Sequence, residues 1–339
     1  MKHFVRRVLL VIALGTGLGA AERLDLAWPT PNPAWAEGKA IGSFVQHAGS
    51  GDPVSGTFGG VRNGGVQFHE GLDISALKRD RKGEPTDDVM AAMPGVVRHV
   101  SASPGSSNYG RYVILEHPDV TPGVYTLYAH LARIAPGLKV GDRVARSQVL
   151  GLMGHSSGAT PIPVLRSHVH FEIGVMITRD FQSWYERRKF GSRNEHGPWN
   201  GMNLMGIDPL DFFHQWRAGK INTVQDYFAK METAVKLRIA TRRTPDFVTR
   251  YPTLLTKPLP MGLVEGWEVR FNWTGVPFSW TPLSAAEVAG LAFEQPRLVD
   301  VNAALEKRQR SKTLAVSRRG AWEPGKDMTN VLQQLFGLR

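Results

Sequence analysis

The stretch Ser167-His168-Val169-His170-Phe171-Glu172-Ile173 sets two imidazoles two residues apart in a run rich in β-branched and aromatic residues. In an extended strand, positions i and i+2 leave the same face. His168 and His170 would then stand side by side on one sheet. Chemistry that needs one imidazole on a metal and a second beside the reacting atom can use that arrangement directly, although an H-x-H strand is also an ordinary polar sheet face. A second stretch, Phe68-His69-Glu70-Gly71-Leu72-Asp73-Ile74, spaces a histidine and a carboxylate four apart around a glycine. Imidazole nitrogen and carboxylate oxygen are common zinc ligands, and a three-ligand set leaves the fourth tetrahedral position open. A third stretch, Tyr125-Thr126-Leu127-Tyr128-Ala129-His130-Leu131, ends a strand-like run on a lone histidine.

In this order the three stretches resemble the lysostaphin-type zinc metalloendopeptidases, peptidase family M23 or the LytM-like domain, marked by H-x-x-x-D, then Y-A-H-L, then H-x-H. The surrounding text agrees: Phe58-Gly59 with Arg62 before the first motif, Gly141-Asp142-Arg143-Val144 after the second, and Gly151-Leu152-Met153-Gly154 before the third. The resemblance implies that His69, Asp73 and His170 hold one Zn2+ per chain. It implies that His168 takes the proton from the attacking water, and that His130 polarises that water or hydrogen-bonds the developing oxyanion. The implied activity is hydrolysis of peptide bonds in peptidoglycan. The alternative is a non-catalytic LytM-like protein that binds the wall or activates another hydrolase. Such relatives typically lose ligands, whereas all five residues are present here. One departure stands out. The family runs from a Gly/Ser/Thr turn almost directly into H-x-H, whereas here Ala159–Arg166 intervenes with Pro161 and Pro163. This insertion is expected to reshape the rim of the cleft and leave the ligands alone.

Composition sets the outer limits. The 339 residues include no cysteine, which excludes disulfides, thiol catalysis and a cysteine-bound metal. With 42% hydrophobic residues a sizeable core is expected. Lys2, Arg6 and Arg7 precede an apolar run from Val8 to Leu18, and Gly19-Ala20-Ala21 offers small residues for cleavage. That pattern reads as a secretory signal over 1–21, short for a membrane span, with an uncleaved anchor as the alternative. The expectation is an exported protein of the periplasm or cell envelope, with no stable membrane span once the signal is cleaved. The formal charge of +11 falls to +8 without those three basic residues. A basic exported chain is drawn to anionic cell-wall surfaces, with peptidoglycan peptides as partners, and export argues against nucleic acid.

The elements that must position the site are many short strands broken by Gly and Pro turns: a strand after Pro94-Gly95, a hairpin over 109–130, and strands over 149–154 and 168–177. The expected fold is mainly β, an antiparallel β-sandwich or half-barrel core of the lysostaphin type with a mixed α/β C-terminal extension. The expected organisation is an N-terminal arm over 22–50, the M23-like zinc peptidase domain over 51–216 and the extension over 217–339. Within the extension, Val224, Tyr227, Phe228, Met231 and Val235 predict a helix running to about Arg243, capped by Thr223 and Asp226. Ser284 to Glu287 predicts a capped short helix, and Val331, Leu332, Leu335 and Phe336 a final one. His117 and His155 are expected to face solvent on turns.

Overall fold

The computed structural model describes residues 23–338 apart from Ala159 and Gln309. The leader read at 1–21 therefore lies outside the described residues.

The site is organised around the strand His168–Met176, every residue of which is buried. Its first half pairs antiparallel with Leu72–Ser75, placing His170 opposite Asp73, and its second half pairs with Leu204–Ile207. On its other side lies Val124–Ala129, followed in the sheet by Tyr112–His117, Gly95–Ser101 and Arg143–Val144. The hairpin 112–129 forms because both arms are rich in aromatic and β-branched residues and flank a Pro- and Gly-containing turn. A smaller sheet of Asp88–Met90, Val149–Leu152 and Arg133–Ile134 accompanies it. The architecture is mainly antiparallel β, as the strand pattern predicts.

The arm packs down. Trp28 stacks on Trp35 with ring centroids 4.9 Å apart, and both meet the edge of Phe213. Phe213 lies on the helix Pro209–Arg217, capped by Asp208, whose side chain accepts from the backbone N–H groups of Leu210 and Asp211.

The extension builds a second antiparallel sheet in the order Pro277–Leu283, Gly266–Phe271, Val235–Ala240, Arg297–Val301. Two expectations are corrected here. The helix capped by Thr223 and Asp226 ends at Ala229, and Val235 opens a strand. Val235, Leu237 and Ile239 are buried and alternate with Lys236 and Arg238, a period-2 pattern that outcompetes the helical one once Phe271 and Val301 are available across the ladder. Residues 284–290 form turns, not a helix; Glu287 accepts from both the backbone N–H and the hydroxyl of Ser284 at 2.8 Å. The final helix is present as Lys326–Phe336. It buries Met328, Val331, Leu332, Leu335 and Phe336 and ends on Gly337 in the left-handed conformation.

One continuous apolar core runs from Leu24 through Phe171 to Trp280 and Phe336. Polar ties follow the same line. Arg250 donates to the carbonyls of Met176 and Ile177 at 3.0 Å each, and Asp246 accepts from Thr178 Oγ1 at 2.8 Å. The extension thereby grips the far end of the strand that carries the site.

Candidate metal centre and active site

Three donor atoms converge at the start of the central strand. His69 Nε2 lies 3.0 Å from His170 Nδ1 and 3.1 Å from Asp73 Oδ1, and His170 Nδ1 lies 3.0 Å from the same oxygen. All three side chains are buried. The H-x-x-x-D spacing works because Gly71 sits where a Cβ would come 2.5 Å from the Phe171 carbonyl oxygen and 3.0 Å from the His170 ring. Any larger residue would push the first motif off the strand.

The outer contacts determine which ring atoms carry protons. His69 Nδ1 is 2.7 Å from the Thr57 carbonyl, which can only accept, so Nδ1 carries the hydrogen and Nε2 presents a lone pair. His170 Nε2 donates to Glu172 Oε1 at 2.9 Å, turning Nδ1 inward. Arg62 holds Asp73 Oδ2 at 2.5 Å and anchors its own Nε on the Ser55 carbonyl at 2.9 Å, which leaves Oδ1 for the centre. Three inward ligand atoms about 3 Å apart repel one another unless positive charge, a proton on His170 Nδ1 or a metal ion, lies among them. A tetrahedral zinc with bonds of about 2.0–2.2 Å separates its ligand atoms by about 3.3–3.6 Å. The observed spacing is a few tenths of an ångström tighter, so this donor set fits zinc.

Glu172 is the residue that motif reading alone undervalues. It is fully buried, and besides His170 it accepts from Tyr109 at 2.6 Å and Tyr125 at 2.7 Å. Two residues on from His170 in the same strand, it leaves the face that carries His168 and His170. A carboxylate on the far nitrogen of a ligand histidine fixes its tautomer and raises its basicity. Burial lowers the His170 pKa, but hydrogen bonds to Asp73 and Glu172 outweigh it and push the group up to about 10. Burial likewise raises Asp73, yet the surrounding His69, His168 and His170 hold it well below the usual carboxylate range.

His168 and His130 flank this triad. His168 Nδ1 donates to the Arg166 carbonyl at 2.7 Å, and its Nε2 stands 3.5 Å from Asp73 Oδ1. His130 Nδ1 donates to the Ser156 carbonyl at 2.8 Å, and its ring meets that of His168 edge-on at 4.8 Å. His130 reaches this place because its backbone turns out of the strand at φ 62°, a left-handed conformation held by its N–H on the Tyr109 carbonyl at 2.9 Å. Burial lowers both pKa values, that of His130 further because His168 and His170 add to it. Both rings are thus neutral bases near pH 7.

A cleft of about 580 Å³ opens over these residues. Thr160, Pro161, Ile162 and Arg166 of the insertion form part of its wall, with Val164 tied down by Arg79 at 2.8 Å. His117 and His155 lie elsewhere. His117 is fully buried, correcting the solvent-facing expectation: it closes the strand Tyr112–His117, donates to the Pro94 carbonyl at 2.7 Å and pairs with Thr126 Oγ1 at 2.8 Å. The Pro118-Asp119 turn begins only after it. His155 is partly exposed beside Glu84, at 3.2 Å.

A family model described as Peptidase family M23 matches residues 67–180. A search of curated proteins finds no match. Among solved structures, the chain is similar to the catalytic domain of a mutant of the prophage-encoded M23 protein EnpA from Enterococcus faecalis, at 27% identity, covering 39% of this chain and 80% of that one, with a TM-score of 0.28. It is also similar to the catalytic domain of lysostaphin from Staphylococcus simulans, at 21% identity over 45% and 82% of the two chains, TM-score 0.28. A zinc-containing peptidase from Vibrio cholerae matches at 24% identity over 45% and 37%, TM-score 0.30. Residues 67–180, which hold all five sequence-predicted site residues, are therefore a peptidase family M23 domain.

Proposed function

We infer that this protein is an exported zinc metalloendopeptidase that hydrolyses peptide bonds in peptidoglycan. The observation that carries the reading is the meeting of a His69–Asp73–His170 donor triad with two further imidazoles whose Nδ1 atoms are both spent on backbone carbonyls. A purely structural histidine cluster has no reason to leave two Nε2 lone pairs beside three converging acceptors.

His69, Asp73 and His170 would hold the zinc. When bound, zinc supplies Lewis acidity that makes water acidic enough to attack near neutral pH and polarises a carbonyl. His168 Nε2 receives the proton of the attacking water, its orientation held by the Arg166 carbonyl. His130 Nε2 polarises that water or hydrogen-bonds the developing oxyanion. Glu172, Tyr109 and Tyr125 keep His170 in the tautomer that presents Nδ1. The basic surface of the extension, including Lys307, Arg308, Arg318 and Arg319, faces solvent and suits an anionic wall.

The test is digestion of purified peptidoglycan with and without a chelator, the fragments identified by mass spectrometry. Release of peptide fragments that stops on chelation and returns with zinc is expected. Intact peptidoglycan after incubation with the zinc-loaded chain would favour the non-catalytic alternative.

A further inference from the structure

A second cleft, of about 380 Å³, lies where the extension meets the peptidase domain, and it shares Phe68, Glu70 and Tyr109 with the cleft over the metal centre. The two are arms of one groove. The far arm has an unusual charge arrangement. Lys312 rests over the Phe68 ring at 4.3 Å, and Arg188 over the Trp184 ring at 5.6 Å. Neither cation has a carboxylate partner among the described residues. Rings hold them in place and leave their N–H donors unspent. Of the two carboxylates in this arm, Asp327 is occupied by the backbone N–H of Thr313 at 2.6 Å, and Glu70 stands at the junction.

A third polar group points to a ligand independently. Gln334 is 8% exposed, and its Nε2 donates to the Met202 carbonyl at 3.1 Å. That contact orients the amide, so Oε1 is the remaining acceptor, and it has no partner. A buried acceptor without a donor is costly, and this one lines the arm.

Two unspent cations and one orphaned acceptor match one chemical object: the free end of a peptide, where a carboxylate and an amide N–H stand on neighbouring atoms. Resting on the peptidase reading above, we propose that this arm is a substrate subsite that receives the C-terminal carboxylate of a peptide. Lys312 and Arg188 engage the carboxylate and Gln334 Oε1 accepts from the amide. The groove then selects peptides with a free acidic end, a choice made where the extension meets the peptidase domain and not by the residues at the metal.

The probes are diacetyl-L-Lys-D-Ala-D-Ala and the same peptide ending in a carboxamide, titrated calorimetrically into the full zinc-loaded chain. The acid is expected to bind about tenfold more tightly than the amide, the scale of a hydrogen bond to a charged group. In the double variant Lys312→Met, Arg188→Met the two peptides should bind alike. Neither side chain is fully buried, so the fold is not at stake. Gln334→Leu should weaken both peptides together. Equal binding of acid and amide by the unsubstituted chain, no binding of either, or a preference that survives the double variant would overturn the assignment. Digestion of peptidoglycan is measured separately. Carboxylate preference without digestion would sink the peptidase reading and leave the subsite standing; digestion without the preference would do the reverse.

Discussion

The sheet that carries the site buries polarity, and the sheet of the extension buries aromatic carbon. Along His168–Met176, three of the first five residues are His168, His170 and Glu172, all buried and all tied to a carbonyl, a carboxylate or a tyrosine hydroxyl. Across Val235–Ala240, Gly266–Phe271 and Pro277–Leu283 the buried side chains are Leu237, Ile239, Trp267, Val269, Phe271 and Trp280. In the first sheet each buried polar group is stable only with its partner, so at the centre a substitution disturbs the chemistry directly. In the second the contribution is packing area, so a substitution acts on folding and reaches the site through contacts such as those of Arg250 and Asp246 with residues 176–178 and of Trp273 and Lys312 with Phe68.

The largest effect should come from the aromatic side. Trp280 packs edge-on against Trp267 at 5.6 Å and near Phe247 and Phe336. Trp280→Ala should cost about 3–5 kcal/mol of stability, read by denaturant unfolding, while zinc content per folded molecule stays unchanged. A variant that keeps full stability but loses its metal would reverse the comparison.

His117 tests the polar sheet through pH. Burial lowers its pKa from the ordinary 6.5 to about 4, so folding favours the neutral ring. Its contribution is complete above pH 6.5 and is lost as pH falls towards 4, amounting to roughly 3 kcal/mol over that window. His117→Gln keeps a donor for Pro94 and an acceptor for Thr126. It should flatten the stability profile between pH 6.5 and 4; an unchanged acid slope would show that another group sets it.

Next are the two flanking imidazoles. His168→Ala and His130→Ala should keep zinc and lose activity about a hundredfold, the usual scale for a positioned acid–base group. Near-normal turnover in either would remove that residue from the mechanism. The smallest effect belongs to Glu172. Glu172→Gln retains an acceptor for the His170 N–H but removes the charge, and should weaken zinc affinity about tenfold. Unchanged affinity in a competition titration would assign Glu172 to packing alone.

What could be read from the residues follows the same division. H-x-H and H-x-x-x-D encode short-range geometry, since strand parity and one close-packed glycine suffice to bring the groups together. The same parity sets Glu172 on the face of His168 and His170. The carbonyls of Thr57, Ser156 and Arg166 had no such signal, because every residue has a carbonyl and only the fold chooses which one faces a ring. In the extension, Val235 satisfies both a helical and an alternating pattern, and the choice is made by Phe271 and Val301, far away in the chain. The pairing of Val235–Ala240 with Arg297–Val301 is of the same kind.

The central claim is that His69, Asp73 and His170 form a zinc site. Metal analysis of the purified chain beside Asp73→Ala and His170→Ala tests it most directly. About one zinc per chain in the unsubstituted protein, and little or none in either variant at equal folded concentration, is the predicted result. Full occupancy in both variants would contradict the ligand assignment.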